Sequence, residues 1–328
     1  MPHRRVDIKR TLLSEVEHIG RSEGVSVSQI VNEALAIVLA ERRRRLETRL
    51  GLCLPRPIPG GSRRGDRDEI LSVLRRHESD PVTRGFVIVG YGPRAFCAGA
   101  DIGRFPRMLG KANEAAQYAR DCSRLLMYLD RMEKPVVAAL NGMALGGGLE
   151  LALRCRAIVA TVSASLQLPE VTLGIVPGIG AMVVPFRRWP AAAEPFAAML
   201  RQARKMDAAT AHGLGVVDAL AQDYADLVAK AIGRVEALTG KPRANLHAPV
   251  ALATLPPVDP VAESGQPLSR DIIAIMDRAI VEAAAAPSLE AALEVGYRAF
   301  GASACTPAAR EGIESFLERR APDFAKTG

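Results

Sequence analysis

Two glycine-rich stretches and two glutamates carry the chemistry of this sequence. Phe96-Cys97-Ala98-Gly99-Ala100-Asp101-Ile102 and Asn141-Gly142-Met143-Ala144-Leu145-Gly146-Gly147-Gly148-Leu149-Glu150 each place small residues after an apolar run and at the start of a helical one. Leu168-Pro169-Glu170 follows, with Gly174-Ile175-Val176-Pro177-Gly178 behind it. At a helix start the backbone N–H groups have no intrahelical partner, and with no side chain in the way a ligand can come close to them. Two such N–H groups aimed at one point make an oxyanion hole. Glu150 and Glu170 offer a pair of carboxyl groups for acid–base work at the same place. Plainer readings stand beside this one. The glycine triplet alone is a tight turn, because its spacing is not GxGxxG and no GxxxxGK is present. Glu150 alone is a first-turn residue favoured by the helix dipole. Cys97 reads as a small packed side chain, since nothing near it in sequence would lower its pKa.

In this order and spacing the three segments resemble the crotonase (enoyl-CoA hydratase/isomerase) superfamily, over roughly residues 66–328. That resemblance implies an α/β fold with a ββα superhelix core and a helical C-terminal trimerisation region. It implies an oxyanion hole formed by the backbone N–H groups of Ala100 and Gly147, and catalytic glutamates at Glu150 and Glu170. Ala98, Asp101, Ile102, Gly146, Pro177 and Gly178 would border the substrate. The implied reaction is addition of water to an enoyl-CoA thioester, with Glu170 assigned as base and Glu150 as co-orienter and acid. Coenzyme A arrives as part of the substrate, so no separate cofactor is expected. The resemblance also admits an enoyl-CoA isomerase or a ring-opening hydrolase acting on CoA thioesters. Two departures from the family pattern bear on the substrate. Only Leu54-Pro55-Arg56-Pro57 remains of the usual opening loop, and Gly180 to Trp189 replaces the usual GGTQRL. Together they point to a non-standard acyl group, cyclic or branched.

The elements that must position these residues alternate. Asp68 to His77 has a helical pattern, Arg84 to Gly90 reads as a short buried strand ended by glycine, and a long helix is expected from about Asn113 to Met132. A strand over Val136 to Leu140, a glycine-rich turn at 142–148, a helix around Leu149 to Leu153 and a strand over Ala157 to Ala160 follow. Strands alternating with helices imply an α/β architecture. Residues 66–240 are read as the catalytic core and 241–328 as its C-terminal helical region. Within the latter, the Pro- and Ala-rich stretch 241–267 is an ordered excursion or linker, and helices span about 269–317. Asp218, in Gly213-Leu-Gly-Val-Val-Asp218, is read as structural.

The first 48 residues differ in kind. Val6-Asp7-Ile8, a helix, and then Glu23-Gly24-Val25-Ser26-Val27-Ser28-Gln29-Ile30-Val31 resemble a ribbon-helix-helix module, a dimeric unit that lays a two-stranded ribbon in the DNA major groove. Arg5 would be an outward, DNA-facing residue of that ribbon. An amphipathic helical pair used only for oligomerisation is the alternative. Residues 49–65, rich in Gly, Pro and Arg, form a linker. Paired N-terminal segments would join trimers of the core into hexamers. A reading from a different class is an acyl-CoA-sensing DNA-binding regulator.

Charge and cysteine content bound the remaining options. Residues 1–65 hold 13 Lys and Arg against 7 Asp and Glu, so six of the chain's seven excess positive charges lie there. The body is nearly neutral, and charge bears mainly on what the first 65 residues touch. The five cysteines (53, 97, 122, 155 and 305) are scattered with no CxxC pair, which argues against a disulfide framework or a zinc site and for a reducing compartment. The histidines at 3, 18, 77, 212 and 247 have no ligand spacing, so no metal is expected. No apolar run reaches the ~18 residues of a membrane span, and no secretion signal opens the chain. A cytoplasmic protein is expected.

Overall fold

The computed structural model describes residues 65–328, apart from Tyr91, Pro93, Ala253, Thr254 and Gly328. The expected ribbon-helix-helix segment 1–48, with Arg5, lies outside the described residues, as does the linker up to residue 64.

Helix α1 (Gly65–Glu78) leads into β1 (Phe86–Val89) and the short β2 (Ala95–Cys97). A two-turn 3-10 helix, Ile102–Arg107, precedes the long α2 (Ala112–Arg131). The unit then repeats as β3 (Val136–Leu140), β4 (Met143–Leu145) and α3 (Gly147–Arg154), and again as β5 (Ala157–Thr161), β6 (Ser165–Gln167) and the 3-10 turn Glu170–Leu173. Helices α4 (Val184–Arg188) and α5 (Ala193–Gln202), β7 (Met206–Asp207), α6 (Ala208–Gly213), β8 (Ala219–Ala221) and α7 (Tyr224–Leu238) close the spiral.

Each ββα repeat places its first strand in one sheet and its second in another. The first sheet runs β1-β3-β5-β8, all parallel, and the second runs β2-β4-β6-β7, with only β7 antiparallel. β3 and β5 are buried along their whole length. They are therefore continuous apolar runs, as a parallel sheet covered on both faces requires. The sequence reading found β1, β3 and β5 by that signal. β2, β4 and β6 have only three residues each, too few for alternation to show, and β4 occupies what the sequence reading treated as turn.

The C-terminal region folds back onto this body as α8 (Arg270–Ala285), α9 (Leu289–Ser303) and α10 (Pro307–Glu318). Each helix starts where a side-chain oxygen accepts from an otherwise unpaired N–H: Ser269 from Ile272 N at 3.3 Å, Ser288 from Ala291 N at 3.1 Å and Thr306 from Ala309 N at 3.0 Å. α9 lies along α2, whose apolar stripe Ala115, Ala119, Cys122, Leu125, Leu126 and Leu129 repeats at three- and four-residue steps. α10 packs on the turn that bears Glu170.

The stretch between α7 and α8 has almost no regular structure of its own. Arginine side chains hold it instead. Arg187, 7% exposed, donates from Nη1 to the carbonyls of Leu246, His247 and Ala248 and from Nη2 to those of Ala283, Ala284 and Ala286, at distances from 2.8 to 3.5 Å. Arg243 reaches the carbonyls of Leu129 and Met132 at the end of α2, and Arg188 reaches those of Leu153, Cys155 and Arg156 at the end of α3. Cations at helix C-termini satisfy carbonyls that have no N–H partner and oppose the negative end of the dipole.

Glycines set the contact between α10 and the Glu170 turn. A Cβ at Gly312 would lie 2.2 Å from the carbonyl oxygen of Leu173, and one at Gly174 would lie 2.2 Å from that of Ala308. Neither backbone can accept even a methyl group without moving. Gly312→Ala should therefore destabilise the protein by about 1–3 kcal/mol, the usual cost of overpacking. Urea unfolding against wild type measures this, and an unchanged midpoint would contradict it.

Candidate active site

The site forms where the two glycine-rich turns meet. Asn141, 2% exposed, ties them together: its Oδ1 accepts from Gly90 N at 2.9 Å, and its Nδ2 donates to the carbonyls of Ala95 and Gly92. This places the end of β1 and the start of β2 against the β3–β4 turn. A Cβ at Gly99, whose φ is +91°, would lie 3.0 Å from Leu145 O and 3.3 Å from Gly147 N. The Ala98-Gly99-Ala100-Asp101 turn thus abuts the first residue of α3. Gly147 opens that helix, and the preceding Gly146 offers no side chain to cap it. Its N–H has no intrahelical partner. Gly148 packs on β2, where a Cβ would meet Cys97. Cys97 has the packing role expected of it.

Gly146 has φ +50° and ψ −129° and could not be another residue without strain. A Cβ there would also lie 2.6 Å from Oε1 of Glu170. The glycine therefore serves twice, turning the chain and admitting the carboxyl group. Glu170 itself begins its 3-10 turn.

Glu150 sits in the first turn of α3, 3% exposed. Its Oε1 accepts from the backbone N–H groups of Ile179 and Ala181, each at 2.9 Å. Burial pushes its pKa up, and these two N–H bonds and the nearby Arg154 guanidinium oppose that rise. Burial also raises Glu170, and the charge of Glu150 raises it further. The Oε2 of Glu170 is buried with no hydrogen-bond partner. An oxygen in that position is far better tolerated carrying a proton than carrying charge. Of the two, Glu150 has the surroundings that better tolerate charge. The donors on Glu150 favour the opposite order from the one expected from the sequence, in which Glu170 is the base. The convergence of residues 179 and 181 on Glu150 is a tertiary fact that spacing does not reveal.

The other expected residues are distributed around this centre. Ala98 and Ala100 are exposed on their turn, and Ile102 is partly buried in the 3-10 helix that follows. Asp101 caps that helix, accepting from Gly103 N at 3.1 Å, and pairs with Arg104 at 3.8 Å. Its side chain is engaged in capping. Pro177 is buried, and Gly178 lies against the ring of Phe300, whose nearest atom would be 3.1 Å from a Cβ there. Phe300 in turn stacks edge-on with Phe105, which does the same with Tyr118. Asp218 accepts from Ile158 N at 3.0 Å and pairs with Arg234, as a structural residue should. Sequence reading overlooked Asn141, Ile179, Ala181 and Arg154. The i, i+4 spacing of Glu150 and Arg154 on one helix was the available signal.

The described residues contain no cluster of three or more His, Cys, Asp or Glu side chains able to hold a metal. Among them no helix is long and apolar enough to cross a membrane.

Fold and site together define a ββα-spiral enzyme in which an uncapped helix N-terminus lies beside two glutamates whose pKa values are both raised. Residues 64–251 match the family model described as enoyl-CoA hydratase/isomerase, and the chain belongs to that enzyme family. It is 31% identical over 258 residues to a probable enoyl-CoA hydratase of Bacillus subtilis, covering 78% of this chain and 87% of the relative. It is 30% identical over 259 residues to a crotonyl-CoA hydratase of Syntrophomonas wolfei, covering 78% and 86%. In fold, it superposes on a crystal structure titled as an enoyl-CoA hydratase of Rhodobacter sphaeroides with a TM-score of 0.60, at 22% identity and covering 79% of this chain and 84% of that one.

A carboxyl group whose folded-state pKa is raised withdraws stability as pH climbs from its unfolded value through its folded one. Glu170→Gln keeps the shape and removes the charge. It should raise Tm at pH 9 by roughly 2–4 °C per kcal/mol relieved, and leave it nearly unchanged at pH 4, where both forms are neutral. Thermal unfolding at the two pH values checks this, and equal Tm values for variant and wild type at pH 9 would contradict it.

Proposed function

We propose that this enzyme adds water across the double bond of an enoyl-CoA thioester. The unequal surroundings of the two glutamates, with two N–H donors on Glu150 and an unpartnered oxygen on Glu170, beside the open N–H of Gly147 carry this reading. The names of its relatives support the same substrate class. The thioester carbonyl oxygen would lie between the N–H groups of Ala100 and Gly147. Glu150, ionised, takes a proton from water as its oxygen bonds to the β-carbon. Negative charge moves through the double bond to the thioester oxygen, where the two N–H groups stabilise it. Loss of one such donor raises a barrier by ~2.7–4 kcal/mol. Glu170 then delivers its proton to the α-carbon. Coenzyme A enters with the substrate, and no step requires another cofactor.

Isomerisation or ring-opening hydrolysis would use the same oxyanion hole. A carboxylate and a carboxylic acid held side by side favour hydration, since water must lose a proton while carbon gains one. With crotonyl-CoA and a cyclic enoyl-CoA, we expect loss of the enoyl-thioester absorbance. Glu150→Gln and Glu170→Gln should each lower kcat by about 10²–10⁴-fold. The pH profile should be bell-shaped, its acidic limb set by ionisation of Glu150 and its basic limb by that of Glu170, both above the ordinary carboxylate range because burial raises both. Tight acyl-CoA binding without turnover would instead support an acyl-CoA sensor, and salt-dependent binding of DNA by the full chain would add the regulator's second half.

The assembly is proposed to be a trimer, or a hexamer if the N-terminal segments pair. Phe316 and Leu317 are 52% and 47% exposed at the end of α10, which supports contact with another copy. Light scattering should return three or six times the chain's 35.0 kDa, and Phe316→Glu should lower that mass. A monomeric wild type would exclude it.

A further inference from the structure

Glu150 is not held by Ile179 and Ala181 alone, because the peptide that presents them is itself held. Arg154 follows Glu150 by one helical turn and is 1% exposed. Its Nη1 donates to the carbonyl oxygen of Ile179 at 3.1 Å, while the N–H of the same residue donates to Glu150 at 2.9 Å. One residue of loop is therefore gripped at both ends by side chains of a single helix. Nε of Arg154 donates to both oxygens of Asp130 on α2 at 3.1 Å, and its Nη2 pairs with Asp130 Oδ2. The guanidinium is thus fixed from behind in a planar, bidentate way that a lysine could not reproduce. Gly180 lies over it with φ +137°, where a Cβ would come within 3.0 Å of Nη1. The chain Asp130, Arg154, Ile179 and Glu150 is continuous from α2 to the site.

We infer that Arg154 is a positioning residue for the reaction: clamped by Asp130, it fixes the Ile179–Ala181 peptides so that their N–H groups hold the Glu150 carboxyl group in place. The catalytic consequence rests on the hydratase reading, but the placement of Glu150 does not. The titratable and charged groups that face Glu150 are Glu170 from its 3-10 turn, Arg154 from α3 and, behind Arg154, Asp130 from α2 and Tyr297 from α9. Cys97 on β2 packs on Gly148, at the opening turn of the same helix. Of these, only Arg154 both carries positive charge towards Glu150 and bonds the loop that donates to it.

Arg154→Met and Asp130→Asn should each move the ionisation of Glu150 to higher pH. This is read as the Glu150 carboxylate band in an infrared pH titration of the full chain, assigned by difference from Glu150→Gln. In the same variants kcat for crotonyl-CoA should fall about 10–100-fold, the scale expected of a misplaced catalytic group, with KM little changed. Arg154→Lys keeps a charge but not the fork, and should recover the ionisation more fully than kcat. A folded Asp130→Asn or Arg154→Met protein in which Glu150 titrates as in wild type would overturn the inference, whatever its activity. Asp130→Asn leaves the arginine in place should Arg154→Met not fold. A wild type without turnover would overturn the hydratase reading and leave the titration to decide the role of Arg154.

Discussion

Two backbone N–H groups meeting on one oxygen of Glu150 are the constraint on which the site depends. A carboxylate taken out of water needs donors, and an adjacent carboxyl group makes the need greater. Residues 179 and 181 can supply those donors only if the loop after the second 3-10 turn lies directly over α3. That placement in turn requires Gly178 to pass flat against Phe300 and Gly180 to pass over Arg154. The C-terminal helices therefore belong to the reaction centre as much as the glycine-rich turns do. Without α9 behind Gly178 the loop would lose the wall against which it is aligned, and without α10 the Glu170 turn would lose its support.

The pair is also asymmetric by construction. Glu150 receives two donors and a neighbouring guanidinium, whereas Glu170 receives a bare glycine on one side and leaves one oxygen with no partner. Two residues of the same type, close together, are thereby given unequal tolerance for charge by their surroundings alone. Leaving one oxygen of Glu170 unsatisfied opposes folding and favours the protonated form of the group. The large parallel sheet and its covering helices carry that unfavourable arrangement.

Much of this was legible in the sequence, for identifiable reasons. The three long strands were visible because full burial demands unbroken apolar runs, and α2 was visible because its buried stripe repeats at helical steps. The glycines of the two turns were visible because only glycine tolerates their backbone angles and close approaches. The unequal surroundings of the two glutamates were not, because they rest on donors 29 and 31 residues beyond Glu150. The three short strands of the second sheet were not, because three residues cannot display a period of two. Asp101 is expected beside the substrate from its motif, and the structure adds that its carboxylate caps a 3-10 helix, a bond that spacing alone does not announce.

The way in which Arg187 holds the segment between α7 and α8 bears on how this enzyme can vary. All six of its bonds end on main-chain carbonyls, three on each of two segments, and none reads the identity of a side chain. A carbonyl is the same acceptor in every residue. The exposed His247 and Ala248 can therefore change without losing the bonds from Arg187, whereas Leu246 also packs on the core. Descendants of this chain could thus diverge on that surface and keep the reaction centre unchanged.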